Sequence, residues 1–181
     1  MKRTIFVIAA GILAVALLAS CTTTGSKPKG TTTVKSQDFT KASKNIALGK
    51  TAKSNNHIYE FTADKAVDGD VNTYYEGAAK AYPNDIWVDL GAQKTIHGIQ
   101  VKLNPKRIWS ERVQSFEILT SDDGSTFTST VASADYSFSP TGNENSVKVA
   151  FEAKAQFVKV SFTANSESTG GQAAELEVYG E

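Results

Sequence analysis

Cysteine occurs once in this chain of 181 residues, at Cys21, so no internal disulfide is possible. There are only two histidines, His57 and His97, forty positions apart. That spacing offers no metal-binding histidine pair. No serine, histidine and aspartate arrangement and no glycine-rich phosphate loop is evident either, so the chain lacks a recognisable catalytic constellation. The nineteen basic residues balance the nineteen acidic ones, and nothing calls for nucleic acid. Internal repeats are missing. Long apolar runs are missing too, apart from one at the start. Helical periodicity is absent except for a possible turn from Thr62 to Val67.

The start has its own logic. Lys2 and Arg3 precede the apolar run Ile5 to Leu18, which is short for a spanning helix and is followed by small residues. This is the layout of a secretory signal peptide, residues 1–20. Leu18-Ala19-Ser20-Cys21 resembles the bacterial lipobox, which places lipidation on Cys21 and the protein in the bacterial cell envelope, anchored to the membrane by lipid alone. Acyl chains contribute about 0.8 kcal/mol per buried methylene, so several chains hold stably. Thr22 carries no strong retention signal, which favours the outer surface. Residues 21–44 are rich in Thr, Ser, Lys, Gly and Pro. Such a composition buries too little to offset its ordering entropy and predicts a flexible tether through Lys44, reaching about 25–30 Å on average. From Asn45 onward there are twelve basic and eighteen acidic residues, a formal charge of −6. A basic tether below an acidic domain suits an anionic lipid surface.

Residues 45–181 read differently. Apolar side chains alternate in Ile86, Val88, Leu90; in Ile99, Val101, Leu103; in Phe116, Ile118; in Val147, Val149, Phe151; in Val158, Val160, Phe162; and in Ala174, Leu176, Val178. Period two with one buried face means strands. Gly91, Asn104-Pro105, Asp122-Asp123-Gly124 and Gly142-Asn143 mark turns. Many short strands without helices predict an all-β antiparallel β-sandwich or barrel. Tyr75 and Trp87 are expected in its core, His97 on a strand surface, and Asp122-Asp123 in a tight hairpin.

Ala63 to Tyr75, ADKAVDGDVNTYY, gathers two aspartates, an asparagine and a threonine around a glycine. It reads as an acidic turn or as a site for a hard cation, which wants six to eight oxygens. An EF-hand does not fit: its sixth position would be Thr73 instead of glycine and its twelfth Ala79 instead of glutamate.

Six motifs in order carry a family resemblance: Asn45-Ile46-Ala47-Leu48-Gly49-Lys50; Ala66-Val67-Asp68-Gly69-Asp70 with Thr73; Trp87-Val88-Asp89-Leu90-Gly91; Ser121-Asp122-Asp123-Gly124 through Phe127; Phe157-Val158-Lys159-Val160; and Glu175-Leu176-Glu177-Val178-Tyr179-Gly180. Together they resemble a discoidin domain, the coagulation-factor C-type or galactose-binding-like jelly roll, whose bacterial members include family 32 carbohydrate-binding modules. Tyr75 departs from the usual tryptophan, and the terminal cysteine pair of many animal members is missing. The resemblance implies a structural calcium ion (Ca2+) held by the carbonyls of Lys65, Asp70 and Ala174, the carboxylates of Asp68 and Glu175, and both oxygens of Thr73. It also implies a carbohydrate site on loops at one end. His57, Glu76, Arg107, Trp109, Arg112 and Asn165 are the candidates, with Trp109 as the stacking ring. The last loop, Ala164 to Gln172, offers no aromatic, a departure from galactose-type recognition.

The expected function is therefore non-catalytic binding of a glycan or polysaccharide by a lipid-anchored envelope protein. The alternative is a protein-binding or adhesion module using the same loops. A small lipoprotein enzyme ranks third.

Overall fold

The computed structural model describes residues 38–181. The leader, Cys21 and the tether up to residue 37 lie outside the described residues. Within them the chain forms a short helix α1 (Phe39–Ala42) and nine strands. These are β1 (Lys44–Asn45), β2 (Thr51–Ser54), β3 (Tyr75–Glu76), β4 (Asn84–Lys102), β5 (Arg112–Ser121), β6 (Thr128–Phe138), β7 (Ser146–Asn165), β8 (Gln172–Ala173) and β9 (Glu175–Gly180). The suspected helical turn is a 3-10 turn, Ala63–Ala66. Among the described residues no helix is long and apolar enough to cross a membrane.

All pairings are antiparallel. The main sheet runs β1-β9-β4-β7-β5-β6, with β2 also on β4, and β3 pairs with β8 separately. Two long strands make a sandwich of this one sheet. β4 reads as two apolar-alternating runs, and its pairing with β7 slips between Asp89 and Lys94. Gly91 sits in that slip at φ +87°, a conformation that favours glycine. Before the corner β4 pairs with β2 and the last part of β7; after it, with β9 and the first part of β7. The inward faces of both halves meet in one apolar cluster. Ile86, Val88, Phe116, Val160 and Phe162 come from one layer, and Ile96, Ile99, Val101 and Val178 from the other, all at 0% exposure. Each such side chain stabilises the fold by roughly 1.5–3 kcal/mol. Phe116 meets Phe162 edge-on at 5.4 Å and stacks on Tyr136 at 4.0 Å.

Two expectations change. Tyr75 is fully buried as expected, but Trp87 is not a core residue. Ile86 and Val88 point inward, so the pleat turns Trp87 outward, beside Lys159 and Phe127. The tether also ends earlier than Lys44. Phe39 packs edge-on against Tyr179 at 5.6 Å, Asp38 pairs with Lys148 at 3.0 Å, and Lys44 pairs with Gly180. One aromatic ring and one ion pair dock a stretch whose overall composition reads as unfolded.

The registers set a polarity. Asn84 lies across from Phe162, Arg112 from Phe138, Gln114 from Asn165 and Lys102 from Glu175, so these strand ends share one end of the sandwich. Lys44, Ile96 and Gly180 meet toward the other end.

Candidate functional site

The acidic loop is built from short polar turns. Asp68 accepts from the Asp70 N–H at 2.9 Å, and Asp70 accepts from both the backbone and the side-chain nitrogen of Asn72. Those bonds, the Asn72 backbone N–H first, hold the Asp70 carboxyl below its ordinary range. Gly69 takes φ +84° between the two aspartates. The Thr73 hydroxyl then lies 2.7 Å from Asp68 Oδ2, 3.0 Å from the Asp70 carbonyl and 3.4 Å from the Lys65 carbonyl. One hydroxyl carries one proton, so three acceptor oxygens around it leave surplus negative potential.

Glu175 faces this cluster from the far end of the chain. It is 3% exposed, and its Oε1 is buried without a partner. Burial, reinforced by the charge of Asp68, raises its pKa to about 7, against the pull of the Gly69 N–H. Among the described residues no three His, Cys, Asp or Glu side chains converge. The donor set is instead two carboxylates, a hydroxyl and backbone carbonyls. All are hard oxygens, and the chemistry fits calcium. Ala174 is fully buried beside Glu175.

The loops beyond this cluster form the second part of the site. Tyr75 turns inward at the start of β3, and Tyr74, just ahead of the strand, stays half-buried. Tyr74 stacks on Phe61 at 4.4 Å and meets the edge of Trp109 at 4.7 Å. The Arg112 guanidinium lies 5.3 Å from the Trp109 ring centroid. Its Nε donates to the Ser110 carbonyl and an Nη to the Gln172 amide oxygen. Glu76 accepts from the Ser168 hydroxyl at 2.6 Å. The hydroxyl of Tyr82 is buried without a partner, and burial followed by the charge of Glu76 raises its pKa. Burial likewise raises that of Tyr74, with help from Glu76 and Glu60. Aromatic surface, a cation and acidic groups thus share one end of the sandwich.

Buried amides hold these loops. Asn84 donates to Asn56 and to the carbonyls of Ala78 and Ala81, and accepts from Gly171. Gln114 exchanges hydrogen bonds with the backbone of Gln172. A side chain at Gly170 would run into the Gly77 carbonyl, so the last loop can lie directly on the segment after β3. Such bonds fix loop geometry before any ligand arrives.

Of the six saccharide candidates, Glu76, Trp109 and Arg112 come together. Asn165 belongs to the scaffold: its amide donates to Gln114, Gly170 and Gln172. His57 is exposed, one residue before Ile58, whose N–H bonds the Glu76 carbonyl. Arg107 is exposed on a turn closed by the Trp109 N–H on the Lys106 carbonyl. Tyr74 and Phe61 escaped the sequence reading. The adjacent Tyr74-Tyr75 pair was the usable signal, since neighbouring side chains in extended backbone point to opposite sides.

A sandwich with an oxygen-lined acidic loop and stitched binding loops at the same end defines a discoidin-type binding domain. The chain belongs to the F5/8 type C domain family, whose model matches residues 49–176. It is similar to a sialidase of Micromonospora viridifaciens, 32% identical over 128 residues, 66% of this chain and 19% of that protein. The chain thus spans about a fifth of that relative. Two solved modules from the chitosanase/glucanase of Paenibacillus sp. IK-5 are also similar. Chitosan-binding module 1 is 26% identical with TM-score 0.59, covering 76% of this chain and 99% of that one. Chitosan-binding module 2, solved with chitotriose, is 29% identical with TM-score 0.58, covering 75% and 100%.

Proposed function

We propose that this domain is a non-catalytic glycan-binding module. The observation that carries the reading is the Phe61–Tyr74–Trp109 aromatic cluster with Arg112 and Glu76 beside it, on loops fixed by buried amides. Aromatic faces suit the apolar face of a sugar ring, and the charged groups suit its hydroxyls. The likeness to two chitosan-binding modules supports an amino-sugar polymer as ligand. Glu60 and Glu76, both acting on Tyr74, supply negative charge for a protonated amine. Calorimetry with glucosamine oligomers and chitotriose tests this. Wild type is expected to bind, and Tyr74→Ala and Trp109→Ala to bind at least ten-fold more weakly. Equal affinity in both variants would overturn the reading.

The convergence on the Thr73 hydroxyl and the orphaned Glu175 oxygen support a structural calcium ion at Lys65, Asp68, Asp70, Thr73, Ala174 and Glu175. It would tie the loop to β9 and perform no chemistry. The Leu18-to-Cys21 motif supports a lipid anchor at Cys21 and a place on the outer surface of a bacterial envelope. Mass spectrometry of the mature N-terminus tests it, and an unmodified thiol on a soluble protein would refute it. The second reading, a protein-binding module, draws on Ile108 at 86% and Tyr59 at 83% exposure, two apolar side chains open to a partner. A pull-down that recovers a protein while no glycan binds would favour it.

A further inference from the structure

The outer face of the sheet carries a second group of aromatic and polar side chains that shares no residue with the loop end. The pleat of β4 sets Trp87 between Asp85 and Asp89 on the solvent side. Register then places Lys53 of β2 and Lys159 of β7 on either side of Trp87. Lys159 is already engaged: its ammonium lies 3.9 Å from the centroid of Phe127, 5.4 Å from that of Trp87 and 3.4 Å from Asp85. Lys53 is exposed and enters no ion pair among the described residues. In the next row, Thr51, Asp89 and Phe157 sit side by side. The β5–β6 hairpin closes over them, and the bare backbone of Gly124 lets the Phe157 ring lie against it.

The result is a cleft of about 260 Å³, lined by Thr51, Lys53, Trp87, Asp89, Asp123 and Phe157. Its carboxylates are held in place. Asp89 Oδ1 accepts from the Gly91 N–H and the Gln156 amide, and Asp123 Oδ1 from the N–H groups of Ser125 and Thr126. Each therefore keeps its second oxygen as an acceptor at a fixed position. Lys53 and Thr51 add donors. Two aromatic side walls, two preset acceptors and two donors match a ring with an apolar face and equatorial hydroxyls. Two carboxylates, Asp89 and Asp123, line the cleft against the one ammonium of Lys53, so an acidic ligand gains nothing from it.

We propose that this cleft is a second saccharide site, on the sheet face, which takes a hexopyranosyl residue without an acidic group. It extends the glycan-binding reading to another surface, and the two stand or fall separately. A polysaccharide long enough to touch both sites would be held by both, and its avidity would exceed either affinity.

The chain has only two tryptophans, one in each site. Trp109→Phe leaves Trp87 as sole reporter, and Trp87→Phe leaves Trp109. Each variant, checked for folding by circular dichroism, is titrated with chitotriose and with cellotriose while tryptophan emission is followed. The expected result is a saturable change in Trp109→Phe. It persists when Tyr74→Ala is added and weakens at least ten-fold when the exposed Lys53 is changed by Lys53→Ala. Emission of Trp109→Phe that stays constant up to millimolar sugar overturns the site. So does a response that Tyr74→Ala abolishes or Lys53→Ala leaves unchanged. A response from Trp87→Phe alone sustains the loop-end reading and removes the sheet-face site; a response from Trp109→Phe alone does the reverse.

Discussion

Chelation is the sharpest test of the proposed calcium ion, because a buried carboxylate facing the acidic loop costs stability when no cation offsets it. Glu175 is almost wholly buried, and its carboxyl pKa is raised from 4.5 to about 7 by burial and by Asp68. Each unit corresponds to about 1.4 kcal/mol, so ionised Glu175 weakens the metal-free fold by about 3 kcal/mol. The sign follows from linkage. A carboxyl with a raised folded pKa binds more protons when folded, so metal-free stability falls as pH rises from 4.5 through about 7. At pH 7.5 nearly the full penalty applies, and a calcium ion bound beside Glu175 would remove it. For a domain of this size that is about 10 °C in Tm. The assay is a thermal melt at pH 7.5 with calcium and with chelator. Wild type is expected to lose about 10 °C on chelation. Glu175→Gln, which cannot ionise, should melt above metal-free wild type and gain much less from calcium. If chelator leaves the wild-type Tm unchanged and elemental analysis finds no calcium, the reasoning fails.

Three further outcomes follow from other parts of the molecule. Arg112→Lys keeps the charge but loses the fork that reaches both Ser110 and Gln172, so loop-end glycan affinity should fall about ten-fold, read by calorimetry. Asp123 has its pKa lowered to about 2, first by the Thr126 N–H and then by those of Ser125 and the Ser121 hydroxyl. Its stabilisation is full above pH 3.8 and is lost as pH falls toward 2, so the denaturation midpoint of Asp123→Asn should depend less on pH across that window. Phe39→Ala should expose residues 38–43 to a protease that spares them in wild type, with about 1–2 kcal/mol of stability lost.

The sandwich was legible because most of its strands alternate cleanly and because Gly91 and the Asp122-Asp123-Gly124 turn punctuate them. β6 was not, since nearly all its side chains face solvent or are only half-buried and no apolar alternation shows. The acidic loop was legible as a local cluster of oxygen donors, yet Glu175 as its partner came only through resemblance: a contact across a hundred residues leaves no local trace. Trp87 misled because its size argued for burial while its parity argued for exposure, and parity won. Asn165 looked like a sugar ligand by type, but its amide is spent on Gln114, Gly170 and Gln172, a geometry that no composition reveals. Tyr74 was overlooked for the opposite reason, being the twin of an obvious core residue.

The docked segment at Asp38 to Ser43 gives the domain a mechanical response. β4 and β7 run the length of the sandwich, so a ligand held at the proposed loop-end site would load them along their axes. If Cys21 is lipidated as proposed, the opposing pull would arrive through the chain ahead of Asp38. Phe39 and the Asp38–Lys148 pair take that pull before any strand does, and they are held by one ring contact and one ion cluster. Under tension they release first and pay out about 20 Å of chain. The sandwich would then feel such a load only after this slack is gone, so a tug on a glycan bound as proposed would first be converted into length.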